Sequence, residues 1–300
     1  MSHRISNFQE KSNKTLNLKD YSSIKAGPIL KNCFFPKSTE EFSKIYQRLI
    51  LDEEKPVILG SATNSLISLS FENQPFIITS LINEFSVKNN CIQVSSGYNL
   101  SSLISKANSE GFSQIEQLIG IPGTIGGALF SNSGSKDSNI GDFLERVTII
   151  DPSLKIIELT KKECCFSYRS SIFKNNNFVI LSASFRYPQI TTEKEKIKIK
   201  KQKLKILQLK KDSGLFDYPS LGSYFKNPSN YSAGYLLEEA KVKELKVKGA
   251  SINPKHANQI INIDKKAQSQ DIYDLGEICK FKVKEKFNII LEKEISVFGF

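Results

Sequence analysis

GIPGTIGGALFSNSG, residues 120 to 134, is the stretch on which the reading of this chain turns. Pro122 followed by Gly123 suits a turn in which proline presets φ and glycine supplies a positive φ. Gly126 and Gly127 then remove the Cβ atoms that would hold a phosphate group away from the backbone. Consecutive unhindered amides just ahead of a helix can cradle a pyrophosphate. The spacing is neither the dinucleotide fingerprint GxGxxG nor the P-loop GxxxxGK[ST], so a purely structural double turn stays open beside anion binding. A second loop, LGSATN at Leu59 to Asn64, ends a short apolar run in small and hydroxyl residues and can offer amides to the same anion.

Around these loops the chain alternates between two periodicities. Short apolar runs at Val57 to Leu59, Pro75 to Thr79, Ile92 to Ser95, Val147 to Ile150 and Phe178 to Ala183, bounded by Gly, Pro, Asn and Asp, predict strands. Thr39 to Leu51 carries Phe42, Ile45, Tyr46, Leu49 and Ile50 at helical spacing behind Ser38 and Thr39, both able to cap; Leu100 to Ser109 predicts a second helix. After Pro188 the composition changes to TTEKEKIKIKKQKLKILQLKK, lysine-rich and free of Gly and Pro. It reads as a connecting helix with a solvated face, although the alternation of lysine at 196, 198 and 200 suits a strand as well. Beyond it, Tyr231 to Ala240 and Ala267 to Phe287 predict helices, and Ile260 to Ile263 and Ile289 to Ile295 predict strands. That describes a separate α+β unit.

The 300 residues, 39% of them apolar, suffice for two or three packed units. The start, MSHRISNFQEKSNKTLNL, is polar, and no later run approaches the ~20 apolar residues of a membrane helix, so a soluble, unexported, cytoplasmic protein is expected. Five cysteines without a CxxC pair fit a reducing compartment, and two distant histidines, His3 and His256, give no basis for a metal site. The net charge of +11 invites a nucleic-acid reading, but no aromatic residue interleaves the lysine run. The abundance of Lys, Asn and Ile is also what an AT-rich coding sequence produces without selection for charge.

GIPGTIGGA followed by NSG, together with FSYRSS at Phe166 to Ser171 and LGSYFKNP at Leu221 to Pro228, resembles the UDP-N-acetylenolpyruvoylglucosamine reductase (MurB) family. The likeness runs from YSSIKAG at Tyr21 to the LEKEISVFG terminus, without the long insertion of the family's larger subtype. It implies an α+β fold with a two-part FAD-binding region of the vanillyl-alcohol-oxidase (PCMH) type, residues 15–86 and 87–190, followed by a substrate-binding domain at 191–300. It also implies the cofactors FAD and NADPH, a UDP-linked enolpyruvyl sugar as substrate, and a monomer with no nucleic-acid or membrane partner. In the family NADPH reduces FAD, and the reduced flavin passes hydride to C3 of the enolpyruvyl group, giving UDP-N-acetylmuramate for peptidoglycan.

By motif position, Arg169 in YRSS steadies the carboxylate on which charge develops, a task suited to a planar fork that stays charged. Ser223 in LGSYFKNP protonates C2, and Glu294 in LEKEIS helps polarise the substrate carboxylate, protonated or through Arg169. The resemblance puts Gly60, Ser61, Ala62, Thr63, Asn64, Ser65, Gly120, Pro122, Gly123, Thr124, Gly126, Gly127, Asn132 and Gly134 at the cofactor. It puts Tyr168, Lys226, Asn227, Lys255, His256 and Asn258 at the substrate, with a structural role for His256 as the alternative.

The chain departs from the family where the first loop exchanges its run of glycines for Ser61, Ala62 and Thr63, because side chains there must avoid a positive φ or bear its cost. Glycines are also gone at AKVKE, Ala240 to Glu244, and at KGA, Lys248 to Ala250. Two other classes stay in view: another flavin oxidoreductase of the same fold, and a basic nucleic-acid-binding protein.

Overall fold

The computed structural model describes residues 14–135, 138–190 and 192–300. The polar start up to Asn13, with His3, lies outside them. Near the N-terminus a three-stranded parallel sheet sets Pro75–Ile78 between Asn32–Phe34 and Val57–Leu59. The central strand is buried along its whole length, which is why it reads as a continuous apolar run. The Thr39–Leu51 helix links the outer strands, with the Ser38 hydroxyl accepting from the Glu41 amide. Phe42, Tyr46 and Leu49 on its inner face meet Ile150, Val179 and Leu181, so this helix joins the first sheet to the next layer.

That layer is a five-stranded antiparallel sheet in the order Ile156–Thr160, Leu144–Ile150, Val179–Phe185, Cys91–Ser95, Phe85–Lys88. Leu100, Leu103, Ile104 and Ala107 of the Leu100–Ser109 helix, capped by Asn99, are buried in its core. The lysine-rich stretch forms one helix, Glu193–Asp212, started by a reciprocal Thr192 and Glu195 capping box. The helical alternative therefore holds over the strand. The last unit sets Ala250–Asn253 between Lys246–Val247 and His256–Ile261 and packs the Ala233–Glu239 and Ser269–Phe287 helices on them.

Ile289 to Ile295, expected as a strand, is not one. Asn288 caps the preceding helix in the left-handed region, and the segment meets its neighbour through a single bridge, Phe225 with Lys293. The strand comes later: Ser296–Phe298 pairs in parallel with Ser65–Ile67, bringing the end of the described chain back to the first region.

The last unit is tied to the start by Asn262, which is completely buried. Its amide donates to the carbonyls of Ile24 and Lys25 at 3.0 and 3.1 Å, and its oxygen accepts from the Ala267 amide at 3.0 Å. Asn262→Ala strands two buried backbone groups and one part-buried one, each buried group costing ~1–3 kcal/mol if unsatisfied. A loss of about 2–4 kcal/mol after partial relaxation is expected, read as a lower urea midpoint with little change in slope.

Candidate active site

The two loops singled out in the sequence touch. Gly60 lies so close to Thr124 that a Cβ there would stand 2.4 Å from the Thr124 hydroxyl, which explains the glycine. Gly123 has φ +117°, a conformation L side chains rarely adopt, and its carbonyl accepts from the Leu100 amide. Tyr21, absent from the predicted site, donates its hydroxyl proton to the Gly60 carbonyl at 2.6 Å.

Of the two sets of amides expected to meet an anion, those of the glycine loop are already engaged. Gly126 N–H donates to Ser96 O at 2.7 Å, and Gly127 N–H is directed at the Thr124 hydroxyl that caps the Ile125–Phe130 helix. These glycines serve close packing and the helix start. Among the described residues, the amides of Ser61, Ala62, Thr63 and Asn64 have no hydrogen-bond acceptor, and all four residues line one cavity. Ala62 sits at φ +49° while nearly buried, so the loop keeps its left-handed turn despite the lost glycine. That conformation costs an alanine about 1 kcal/mol.

This cavity, about 340 Å³, brings together Gly60 to Ser65, Gly120, Pro122, Gly123, Thr124, Gly127 and Gly134 with Arg169, Ser223 and Glu294. A second, about 390 Å³, adjoins it and shares Gly60, Asn64, Ser65, Thr124, Gly127 and Ser131 with the first. Gly126 lines only this second cavity. Two adjoining spaces, with the free amides of Ser61 to Thr63 in the first and that of Asn64 at a residue lining both, suit an elongated dinucleotide whose diphosphate sits near the junction.

Arg169 stands at the tip of a two-residue turn closed by reciprocal backbone bonds between Ser167 and Ser170, at φ +53°. Its Nε donates to Glu294 Oε1 at 2.6 Å and its Nη2 to the Gly134 carbonyl at 3.1 Å. The two side chains are only 20% and 17% exposed, so solvent screens this ion pair weakly. Burial pushes the Glu294 carboxyl above the ordinary carboxylate value, against the pull of Arg169, Lys174 and Lys226. Glu294 is set by its backbone: its amide donates to Tyr224 O at 2.8 Å, its carbonyl accepts from the Asn64 side chain at 3.3 Å, and Lys226 N–H bonds Glu292 O. The LGSYFKNP and LEKE motifs therefore run side by side, and Ser223 and Glu294 share one wall.

Several expected contacts are supports instead. Asn132 lines neither cavity: it is buried, donates to Ser167 O at 3.0 Å and accepts from Gly141 N at 3.2 Å, bracing the turn that carries Arg169. Asn258 is likewise buried and clasps both backbone groups of Phe225, at 2.9 and 2.8 Å. Lys255 points to the surface and pairs with Asp217 at 2.8 Å. His256 is half-buried, lines neither cavity, and burial lowers its imidazole below the ordinary value. Tyr168, Lys226 and Asn227 group beside Arg169, outside both cavity walls: the Tyr168 hydroxyl accepts from Asn227 N–H at 3.2 Å, and Lys226 pairs with Glu292 at 3.0 Å.

Two lysines escaped sequence reasoning. Lys210, from the helix read as a solvated face, reaches the first cavity and donates to Ile119 O at 2.6 Å; burial lowers its amine. Its position 11 residues beyond the buried Ile199, on the same helical face, was the available signal. Lys174 lines the second cavity and donates to the Arg169 carbonyl at 2.9 Å.

Comparison with known proteins identifies the family of the chain. A family model described as an FAD binding domain matches residues 31–160, and one described as the UDP-N-acetylenolpyruvoylglucosamine reductase C-terminal domain matches residues 214–298. The UDP-N-acetylenolpyruvoylglucosamine reductase of Caldicellulosiruptor bescii is 34% identical over 282 residues, 94% of this chain and 89% of that protein. The enzyme of the same name from Borrelia garinii subsp. bavariensis is 35% identical over 307 aligned residues, covering 100% and 98% of the two chains. The crystal structure of UDP-N-acetylenolpyruvylglucosamine reductase (MurB) from Thermus caldophilus superposes with a TM-score of 0.78 at 25% identity, covering 95% of this chain and 98% of that one. A PCMH-type FAD-binding region followed by the reductase C-terminal domain, with full-length relatives of one kind, makes this chain a member of the UDP-N-acetylenolpyruvoylglucosamine reductase family.

Proposed function

We propose that the chain reduces the enolpyruvyl group of UDP-N-acetylglucosamine enolpyruvate to the lactyl group of UDP-N-acetylmuramate, with NADPH as electron donor, for peptidoglycan synthesis in the cytoplasm. The observation that carries this reading is the convergence of Arg169, Ser223 and Glu294, distant in sequence, on one cavity beside the two loops. Bound FAD would supply a two-electron carrier between the nicotinamide and C3 of the substrate. The free amides of Ser61 to Asn64 hold its diphosphate, and residues 15–86 and 87–190 form its two-part binding region, with 191–300 taking the substrate.

Hydride at C3 sends charge into the substrate carboxylate, and Arg169 is the group to meet it. Its guanidinium is already fixed by Glu294 and the Gly134 carbonyl, so it need not reorganise as that charge develops. Glu294 acts through Arg169, whose guanidinium stands between the two carboxylates' charges. Ser223 protonates C2, and Lys210 adds positive charge on the same wall. Tyr168, Lys226 and Asn227 extend the surface outward from Arg169, toward the nucleotide end of the substrate.

Three outcomes test this. The purified full-length chain, reconstituted with FAD, shows a flavin spectrum, bleaches anaerobically with NADPH and recovers its colour on adding the UDP-linked enolpyruvyl sugar; a chain that takes up no flavin is incompatible with the reading. Ser223→Ala keeps the bleaching rate and loses recovery of colour by about 10²-fold or more. Glu294→Gln slows recovery by about 10-fold or more while bleaching stays within about twofold. Because burial raises the Glu294 carboxyl, the wild-type recovery rate falls as pH drops through that group's titration and Arg169 loses its ionised partner, and the Gln variant loses this acid limb.

A further inference from the structure

The turn carrying Arg169 has no glycine, yet needs a residue at φ +53°. A non-glycine residue there gives up about 1–2 kcal/mol, so the turn persists only where its surroundings over-determine it. Three bonds brace it from outside. The Asn132 amide donates to Ser167 O at 3.0 Å, the Ser171 hydroxyl donates to Phe130 O at 2.7 Å, and Lys174 Nζ donates to Arg169 O at 2.9 Å. Of these, only the last touches Arg169 itself.

Lys174 occupies an adverse place for an amine. It is partly buried and repelled by Lys226 and Arg169, with the face of the Phe130 ring, 5.7 Å away, as a weak attraction. The nearby carboxylate, Glu294, is engaged by Arg169. A lysine serving only solubility would turn to water. Here the ammonium is instead held on the carbonyl of the residue proposed to meet the substrate carboxylate, and its stem joins the wall of the second cavity.

We infer that Lys174 is a positioning residue for the reduction, locking the peptide of Arg169 in the left-handed turn that points its guanidinium at Glu294 and the first cavity. The inference rests on the role proposed for Arg169. A charge-assisted bond to a carbonyl is worth ~1.5–3 kcal/mol, and its loss corresponds to roughly 10- to 100-fold in rate if the strained turn relaxes.

The test uses the FAD-loaded full chain and separates the two half-reactions. Lys174→Met keeps the stem against Phe130 and removes the donor. Bleaching by NADPH and flavin content are expected within about twofold of wild type, with recovery by the UDP-enolpyruvyl sugar slowed roughly 10- to 100-fold. Adding Lys174→Met to Arg169→Met should lower the rate no further, because the lysine acts through the arginine. Lys174→Gln, with a shorter neutral donor, is the second variant should Lys174→Met lose flavin on purification, and it must show the same confinement to recovery. Additive losses in the double variant, unchanged recovery, or a fall confined to bleaching or FAD retention in both lysine variants would each overturn the inference. Wild-type recovery in Arg169→Met alone would instead overturn the role given to Arg169.

Discussion

The contact between Arg169 and Glu294 joins residues 125 positions apart and obliges three segments to meet. The arginine needs the Ser167 to Ser170 turn, held to the helix that follows the glycine loop through Phe130 and Asn132. The glutamate needs its backbone flanked by Tyr224 on one side and Asn64 on the other. Moving any of these segments would leave a charge in a region where water screens it poorly, and breaking one partner of such a pair is far more costly than never having built it. The pair therefore acts as a register mark between the FAD-binding region and the C-terminal unit.

The two loops divide their work by chemistry. The glycine loop gives up its helix-start amides to internal bonds and brings Thr124 against Gly60. The first loop, poorer in glycine than its family, keeps four amides unspent and accepts a left-handed Ala62 to do so. It is also the structural hub: Ala62 O accepts from Ser23 and Asn64 O from Ser296, so the anion cradle and the frame of Glu294 are the same few residues.

Much of this was legible in the sequence where local physics decides. The Thr39–Leu51 and Leu100–Ser109 helices follow from apolar spacing behind Ser38 and Asn99, which cap them. Both loops and the three residues around the first cavity were found from their motifs. Ile289 to Ile295 misled because β-branched composition speaks of a pleated surface, whereas a strand also requires a partner, and only Phe225 supplies one. Asn132 and Asn258, which line neither cavity, misled in another way. Polar groups near a site contact either ligand or scaffold, and which of these holds depends on side-chain direction, not on residue type. Lys174 was invisible because the burial of a lysine is a tertiary property, and Lys210 showed only through its helical face shared with Ile199.

The parallel pairing of Ser296–Phe298 with Ser65–Ile67 has a kinetic consequence. Asn64 and Glu294, bonded to each other, lie 230 residues apart, so closing the site is among the most non-local events in the fold. Such pairings come late and slowly, since chain entropy is lost before the contact repays it. During synthesis the cradle at Ser61 to Asn64 emerges long before its partner, and a nascent chain can form both sheets of the FAD-binding region while the arginine still lacks its glutamate. Early collapse around the cofactor side, with the substrate side assembled last, is the order of events this topology imposes.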